Sequence, residues 1–284
     1  MKLFLILSSL LAIQAGVIKE ESIEVEEKVC DGIIINGTYH EQEILHRDLD
    51  RPFLLSVDHS TNDLYFSYNV KVDEDDFRSA RLNLNSKEFK NIEGVSNGFA
   101  QAVDPSTNDI YIGGSDGIYK YDPRNNKAEL FAQRGMNIWT LYYKDFLYFS
   151  NFPSQFLYVL IDGKSERLAE LQDTKVEHFV IDNEDVMFYT NNTGLYGHKK
   201  GTLDSVLYKE IGSIGIRALT TDINGNVYAC FSDGVYAVRK ATQSLEKIFD
   251  IDDAFGLAFD NNNNIVYSDA VKLIRLRPNR SKSC

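Results

Sequence analysis

The sequence has few of the residues that hold together small cross-linked or metal-bound domains. Its 284 residues include three cysteines, five histidines, five prolines and a single tryptophan. So few cysteines exclude a disulfide-dense scaffold, and the sequence has no paired-cysteine pattern typical of a zinc site. After the first 16 residues, no apolar run approaches the roughly 20 residues that a membrane-spanning helix needs. The chain is therefore not predicted to cross a membrane.

Positive charge is also scarce, since 30 lysines and arginines face 42 aspartates and glutamates and give a net charge of −12. Nucleic acids and anionic membrane surfaces attract basic protein surfaces. Neither is therefore an expected partner. The hydrophobic content of 43% is enough for a large core in one domain.

The N-terminus has the layout of a secretory signal peptide. In "MKLFLILSSLLAIQAG", one lysine precedes an apolar run that ends in small residues, which predicts a signal peptide over residues 1–16. Residues 17–29 are polar and acidic and are predicted to be a flexible leader, which leaves residues 30–284 as one folded domain. The mature protein is expected to be secreted, and three sequons are expected to carry glycans, at Asn36, Asn191 and Asn279.

The positions of the three cysteines favour one disulfide. Cys30 lies near the mature N-terminus, Cys284 is the last residue, and Cys230 lies inside the apolar run "VYACF". In an oxidising compartment the two terminal cysteines are expected to pair, and Cys230 is expected to remain a buried thiol.

One ten-residue stretch occurs twice in closely similar form. "VDHSTNDLYF" at 57–66 matches "VDPSTNDIYI" at 103–112, and weaker copies begin at Val180, Thr220 and Ala258, with a shortened copy at Tyr142. The six copies recur about every 40 residues, which is the period of a solenoid or a propeller.

Each unit has the pattern of short strands joined by hairpin turns. Apolar and aromatic runs alternate with Asp, Asn, Gly and Ser clusters, and no helical period follows the signal peptide. Four antiparallel strands per unit predict an all-β fold, a six-bladed β-propeller. The last unit stops after its third strand, and "YHEQEILH" at 39–46 resembles a fourth strand, so we expect the N-terminal strand to complete the last blade.

The start of each innermost strand is expected to line one mouth of the central channel. Counting five residues back from the repeat anchors gives one position per blade: Phe53, Phe99, Ile138, Glu177, Arg217 and Phe255. The flanking positions add Asn97, Asn137, Trp139, His178 and Asp253. Aromatic faces stack on flat rings and arginine binds carboxylates, so this mouth suits a flat conjugated ligand. The predicted ligand-binding set is Phe53, Phe99, Asn137, Trp139, Glu177, His178, Arg217 and Phe255. The alternative for each aromatic residue is packing between blades.

Motifs for catalysis are scarce. The sequence has no nucleophile elbow, zinc-protease helix or nucleotide-binding glycine loop, and His178 beside Glu177 on one strand would face the opposite side. We therefore predict no catalytic residues and no enzyme.

Two other function classes remain open. "SNGFAQAVDPSTNDIYIGG" resembles a strand of the regucalcin, gluconolactonase and paraoxonase group, and Asn97, Asn137, Glu177 and Asp253 offer oxygen ligands for Ca²⁺. This alternative is a metal-dependent lactonase or arylesterase, although Arg217 opposes a cation. A third class is an interaction propeller that uses the acidic loop at 71–80.

The chain also resembles a known family, the ommochrome-binding proteins of insect haemolymph. The resemblance is carried by the signal peptide and acidic leader, by "CDGIIINGTYHEQEILHRDLDRPFLLSVDHSTNDLYFSY", by "FAQAVDPSTNDIYIGGSDGIYKYDP" and by "GNVYACFSDGVYAV", and it extends over residues 17–284. It implies a secreted carrier of a tryptophan-derived phenoxazinone pigment of the ommatin type. Such a carrier would bind the pigment without converting it and would need no cofactor. The solvated surface favours a monomer.

Overall fold

The computed structural model describes residues 31–70, 76–212 and 215–281. These residues form 25 β-strands and one short 3₁₀ helix, Ala169–Leu171. The predicted signal peptide, the acidic leader and the two terminal cysteines lie outside the described residues. Within the described ranges there is no helix of the length and apolarity that a bilayer crossing requires.

Five four-stranded antiparallel sheets follow one another along the chain, and each is one blade. Blade 1 contains strands β3 to β6: Asp50–Asp58, Asp63–Asn69, Phe77–Asn83 and Phe89–Asn91. Blade 2 contains strands β7 to β10: Ala100–Asp104, Asp109–Gly114, Gly117–Asp122 and Lys127–Ala132. Blade 3 contains strands β11 to β14: Ile138–Lys144, Phe146–Asn151, Leu157–Ile161 and Lys164–Arg167. Blade 4 contains strands β15 to β18: His178–Ile181, Val186–Thr190, Gly194–Lys199 and Val206–Glu210. Blade 5 contains strands β19 to β22: Ile216–Thr221, Val227–Phe231, Gly234–Arg239 and Ser244–Asp250.

Blade 6 joins the two ends of the described chain. Its inner strands β23 to β25 are Gly256–Phe259, Ile265–Ser268 and Leu273–Pro278, and its outer strands β1 and β2 are Ile33–Ile35 and Thr38–His46. Strand β2 pairs antiparallel with β25. The predicted closure of the last blade by the N-terminal strand is therefore confirmed.

The innermost strands of successive blades contact one another, and β23 of blade 6 contacts β3 of blade 1. The described residues thus form a closed ring of six blades, and the predicted six-bladed β-propeller is confirmed. One strand was not predicted, because β1 adds a fifth strand to blade 6. Asn36 and Gly37 join β1 to β2 with φ values of 49° and 75°, the conformation that an Asn-Gly hairpin turn favours.

The repeated sequence encodes a repeated turn. In blade 1, the Asp58 carboxylate accepts hydrogen bonds from the Ser60 backbone N–H at 2.9 Å, the Ser60 hydroxyl at 2.7 Å and the Thr61 hydroxyl at 2.9 Å. In blade 2, the Asp104 carboxylate accepts the same three bonds from the next residues, Ser106 and Thr107. Both aspartates are buried, and these bonds compensate for the lost hydration of their carboxylates.

The hydrophobic core lies between neighbouring blades. One cluster joins Leu64 and Phe66 of blade 1 to Ala258 and Val266 of blade 6, and another joins Ala100 of blade 2 to blade 3. Each sheet packs its faces against the sheets of the two neighbouring blades, so every blade depends on its neighbours to bury its apolar side chains.

A buried ion-pair cluster stabilises the closure. Arg275 on β25 is 1% exposed, and its guanidinium donates to Glu43 on β2 at 2.8 and 3.0 Å and to Asp260 at 3.3 Å. Arg277 and Lys87 also contact the Glu43 carboxylate. Burial acts to raise the pKa of Glu43, but the hydrogen bonds from Arg275, Lys87 and Arg277 outweigh it and lower the pKa to about 2.

Candidate functional site

The starts of the innermost strands meet at one mouth of the ring, at equivalent positions. The backbone N–H groups of Phe99, Glu177 and Phe255 each donate to a carbonyl of the second strand of the same blade, at 2.8 to 2.9 Å. Counting five residues back from the repeat anchor therefore gives structurally equivalent residues in blades 2, 4 and 6.

In blade 3 the count is wrong by one residue. Ile138 is 1% exposed and packs in the core between blades 2 and 3, whereas the ring of Trp139 lies at the mouth. The shift arises because the turn between the first two strands of blade 3 is shorter than in the other blades. The last residue pair before this turn is Lys144 with Phe146, so the anchor of blade 3 is Lys144 and not Tyr143. Five residues back from Lys144 is Trp139.

Irregular pairing directs three of these side chains to the mouth. Trp139 and Arg217 are the unpaired residues of bulges in β11 and β19, and Phe53 lies between two register shifts in β3. The neighbouring residues Arg51 and Leu54 have φ values of 47°, a conformation that costs a non-glycine residue about 1 to 2 kcal/mol. Bulges commonly redirect side chains in this way next to binding sites.

The four predicted aromatic residues form a continuous arc with two further rings. We call these six the aromatic arc: Phe53, Phe77, Phe99, Trp139, Phe152 and Phe255. Phe53 lies 5.3 Å from Phe255 and 6.0 Å from Phe99, measured between ring centroids, and Phe99 lies 4.9 Å from Trp139. None of the six rings belongs to the hydrophobic clusters that join the described blades. Phe255 is nevertheless buried, at 5% exposure, whereas the other five rings are half-buried or exposed.

Sequence reasoning missed two members of the arc. Phe77 begins β5 and lies 4.6 Å from Phe99, and Phe152 follows β12 and lies 5.6 Å from Trp139. The connection between the second and third strands opens on the same face as the start of the first strand, because neighbouring strands are antiparallel. Aromatic residues in those connections were the signal that could have identified both.

The polar side of the mouth comes from blades 4 and 5. The Arg217 guanidinium is exposed and lies 4.9 Å from the centroid of the Phe255 ring, at the end of the arc. Glu177 is half-buried, and this burial raises the pKa of its carboxyl group although a hydrogen bond from Gln155 acts against it. Burial lowers the pKa of His178 to about 4, against the effect of its hydrogen bond to the Ile216 backbone. His178 is therefore neutral at pH 7.

The remaining predicted residues are less closely joined to the arc. Asn137 is exposed, and its carbonyl accepts a bond from the Phe152 N–H at 2.9 Å. Asn97 accepts a bond from the Phe77 N–H at 2.8 Å through its side-chain oxygen, which positions that ring. Asp253 is exposed. Among the described residues, no group of three or more His, Cys, Asp and Glu side chains has metal-binding geometry.

The central channel holds a cavity of about 770 Å³, lined by the innermost strands and by the turns that follow them, among them His59, Asn108 and Asn224. Of the predicted ligand-binding residues, His178 lines this cavity and the rings of the arc do not. Gln101 also lines it, is buried, and donates from its side-chain nitrogen to the Phe99 carbonyl at 3.0 Å. Gln101 thus fixes the backbone of one arc residue from within the channel.

Comparison with solved structures supports the fold. The chain superposes on a gluconolactonase from Xanthomonas campestris with a TM-score of 0.69 and 13% identity, covering 86% of this chain and 91% of that one. It superposes on the calcium-binding protein regucalcin from Agrobacterium tumefaciens with a TM-score of 0.64 and 10% identity, covering 84% and 96% of the two chains. At such identities the likeness shows the propeller fold alone.

Comparison of sequences gives the family. No family model matches the sequence. The ommochrome-binding protein of Manduca sexta is 30% identical over 254 residues, which cover 87% of this chain and 91% of the relative. This similarity spans nearly the whole propeller, and the chain belongs to the ommochrome-binding protein family.

Proposed function

We propose that this protein is a secreted, non-enzymatic carrier that binds an ommochrome pigment of the ommatin type in haemolymph. The observation that carries the proposal is the aromatic arc with Arg217 at its end. Ommatins are planar and conjugated and bear carboxylates, so their ring system suits the partly exposed rings of Phe53, Phe99 and Trp139. The buried ring of Phe255 supports Phe53 from below, and a carboxylate suits the Arg217 guanidinium. The name of the relative from Manduca sexta supports the same ligand class.

The physical basis is the pairing of stacking with one strong directional contact. Offset aromatic pairs contribute about 0.5 to 1.5 kcal/mol beyond their buried area, and several rings act together on one flat ligand. An arginine–carboxylate contact is charge-assisted and often bidentate. In the described residues Arg217 forms no ion pair, so its guanidinium is available to a ligand.

The direct test is a titration of the purified protein with xanthommatin. The chain has a single tryptophan, so fluorescence quenching reports on Trp139 and on the arc alone. We expect saturable quenching and a shift in the visible absorption of the pigment, both unchanged by a chelator. The pigment should be recovered unaltered after release.

Variants give the test a matched control. Arg217→Ala should weaken binding about tenfold or more, since hydrogen bonds to charged groups are worth about 1.5 to 3 kcal/mol. Arg239→Ala removes an exposed arginine of the same blade that pairs with Glu246, and it should leave binding unchanged. Absence of quenching would contradict the carrier function, and chelator-sensitive binding with hydrolysis of a lactone would favour the enzyme alternative.

We also propose that residues 1–16 are a signal peptide, that Asn36, Asn191 and Asn279 carry glycans, and that the protein is a monomer. We further propose a disulfide between Cys30 and Cys284. In support of the disulfide, the described chain ends meet at one residue: Tyr39 donates to Asp31 from its hydroxyl at 2.9 Å, and its carbonyl accepts from the Asn279 N–H at 2.8 Å. Peptide mass analysis without reduction would test the pairing, and digestion with a glycosidase would test the glycans.

A further inference from the structure

Two opposite charges occupy neighbouring places in the mouth. Glu177 precedes β15 of blade 4, and Arg217 lies in β19 of blade 5, each at the position that an aromatic residue occupies in blades 1, 2 and 6. The residue after Glu177 is His178, and its ring bonds to the backbone of Ile216, the residue before Arg217. The two charged side chains therefore flank one contact between adjacent blades.

Neither charge is neutralised by a partner within the described ranges. Glu177 and Arg217 take part in none of the ion pairs among those residues. The carboxyl group of Glu177 is half-buried and bonds to the neutral side chain of Gln155, and the Arg217 guanidinium lies over the Phe255 ring. A half-buried carboxylate that lacks a cation is costly, and a bound ligand with an ammonium group would remove that cost.

We propose that the mouth recognises both charges of a free α-amino acid group on its ligand. Arg217 binds the carboxylate, Glu177 accepts hydrogen bonds from the ammonium, and the aromatic arc stacks on the attached ring system. The inference rests on the proposed function and narrows it. The ligand class becomes planar aromatic compounds that carry an unmodified zwitterionic amino acid side chain, as opposed to aromatic carboxylates in general.

Selectivity follows from the half-buried position of Glu177. A site built to bond a charged group discriminates strongly against an analogue that lacks the group, because its own polar atoms are then left unpaired. Loss of the ammonium should therefore weaken binding by about tenfold or more, which corresponds to one charge-assisted hydrogen bond. A site that uses only stacking and Arg217 would bind both compounds equally.

The experiment compares xanthommatin with its N-acetyl derivative by quenching of Trp139. Acetylation removes the positive charge and keeps the ring system and the carboxylates. Wild-type protein should bind xanthommatin at least about tenfold more tightly than the derivative. Glu177→Gln should bind both with similar affinity, whereas a preference caused only by the bulk of the acetyl group would persist in that variant. Glu129→Gln, which removes an exposed carboxylate on β10 of blade 2, is the matched control and should keep the wild-type preference.

Arg217→Ala provides a second variant in case Glu177→Gln does not fold. It should weaken binding of both compounds by a similar factor and keep the preference, because Glu177 is intact. Equal binding of the two compounds to wild-type protein would overturn the inference and leave the carrier function standing. Absence of binding of either compound would instead contradict the carrier function itself.

Discussion

Replacing Glu43 with glutamine tests how the propeller ring is held closed. Glu43 lies on β2, and its carboxylate pairs with Arg275 on β25, which is 1% exposed. Glutamine keeps the size of the side chain and removes its charge. The buried guanidinium then keeps one anionic partner, Asp260, at 3.3 Å.

The expected loss of stability follows from the pKa of Glu43. A carboxyl group whose pKa falls from 4.5 to about 2 on folding is stabilised as the anion, and at about 1.4 kcal/mol per pH unit this amounts to about 3 kcal/mol. Removing one partner of a buried ion pair typically costs about 3 to 5 kcal/mol. We therefore expect the free energy of unfolding to fall by about 3 kcal/mol at pH 7.

The pH dependence provides a second, independent expectation. Because the folded-state pKa is lowered, the stabilisation is complete above about pH 4.5 and is lost as the pH falls through about 2. The difference between wild type and Glu43→Gln should therefore be constant from pH 7 to 5 and shrink below pH 4.5.

Urea unfolding followed by Trp139 fluorescence at several pH values measures both effects. Glu41→Gln is the control, because Glu41 lies on the same strand and its carboxylate accepts one exposed bond from Asn279; it should change stability by less than about 1 kcal/mol. Equal stability of wild type and Glu43→Gln at pH 7, or a difference that does not change with pH, would refute the reasoning.

Three further predictions concern single side chains. The pKa of His178 falls from 6.5 to about 4 on folding, so protonation of this side chain favours the unfolded chain. His178→Gln should therefore reduce the loss of stability between pH 6.5 and 4. An unchanged pH profile of unfolding would contradict this. Cys230 is fully buried, and burial raises the pKa of its thiol to about 12. A thiol reagent should therefore modify it only in denaturant. Rapid reaction in the native protein would disprove its burial. Gly225 has φ of +75°, and a Cβ there would lie 2.7 Å from the Asn183 Cβ. Gly225→Ala should therefore lower the free energy of unfolding by about 1 kcal/mol or more. The control is Gly212→Ala, because no neighbouring atom lies within 4 Å of a Cβ at that position.

Much of the fold could be predicted from the sequence because the local turn chemistry is repeated. Asp58 and Asp104 each form the same three bonds to the residues that follow them, and this local dependence makes the period visible. The sequence "IIINGTYH" contains an equally clear hairpin signal at Asn36 and Gly37. Strand β1 was not predicted, because its three residues are too few to show a strand period.

The site was harder to predict, because its geometry depends on small irregularities in strand pairing. The count from the anchors located Phe53, Phe99, Arg217 and Phe255 at the mouth, yet a turn shorter by a few residues moved the position in blade 3 from Ile138 to Trp139. Contacts between rings from different blades, such as that of Phe77 with Phe99, have no local sequence signature. They arise only when the blades are assembled.

The closure of blade 6 also sets the order in which the protein can be completed during synthesis. Strand β2 is made near the start of the chain, whereas its partner β25 is among the last segments to be made. At about 5 to 20 residues per second, β2 waits more than ten seconds with an unpaired edge. Its sequence, with Glu41 and Glu43 among polar neighbours, places charge on that edge during the wait and so opposes pairing with the wrong strand.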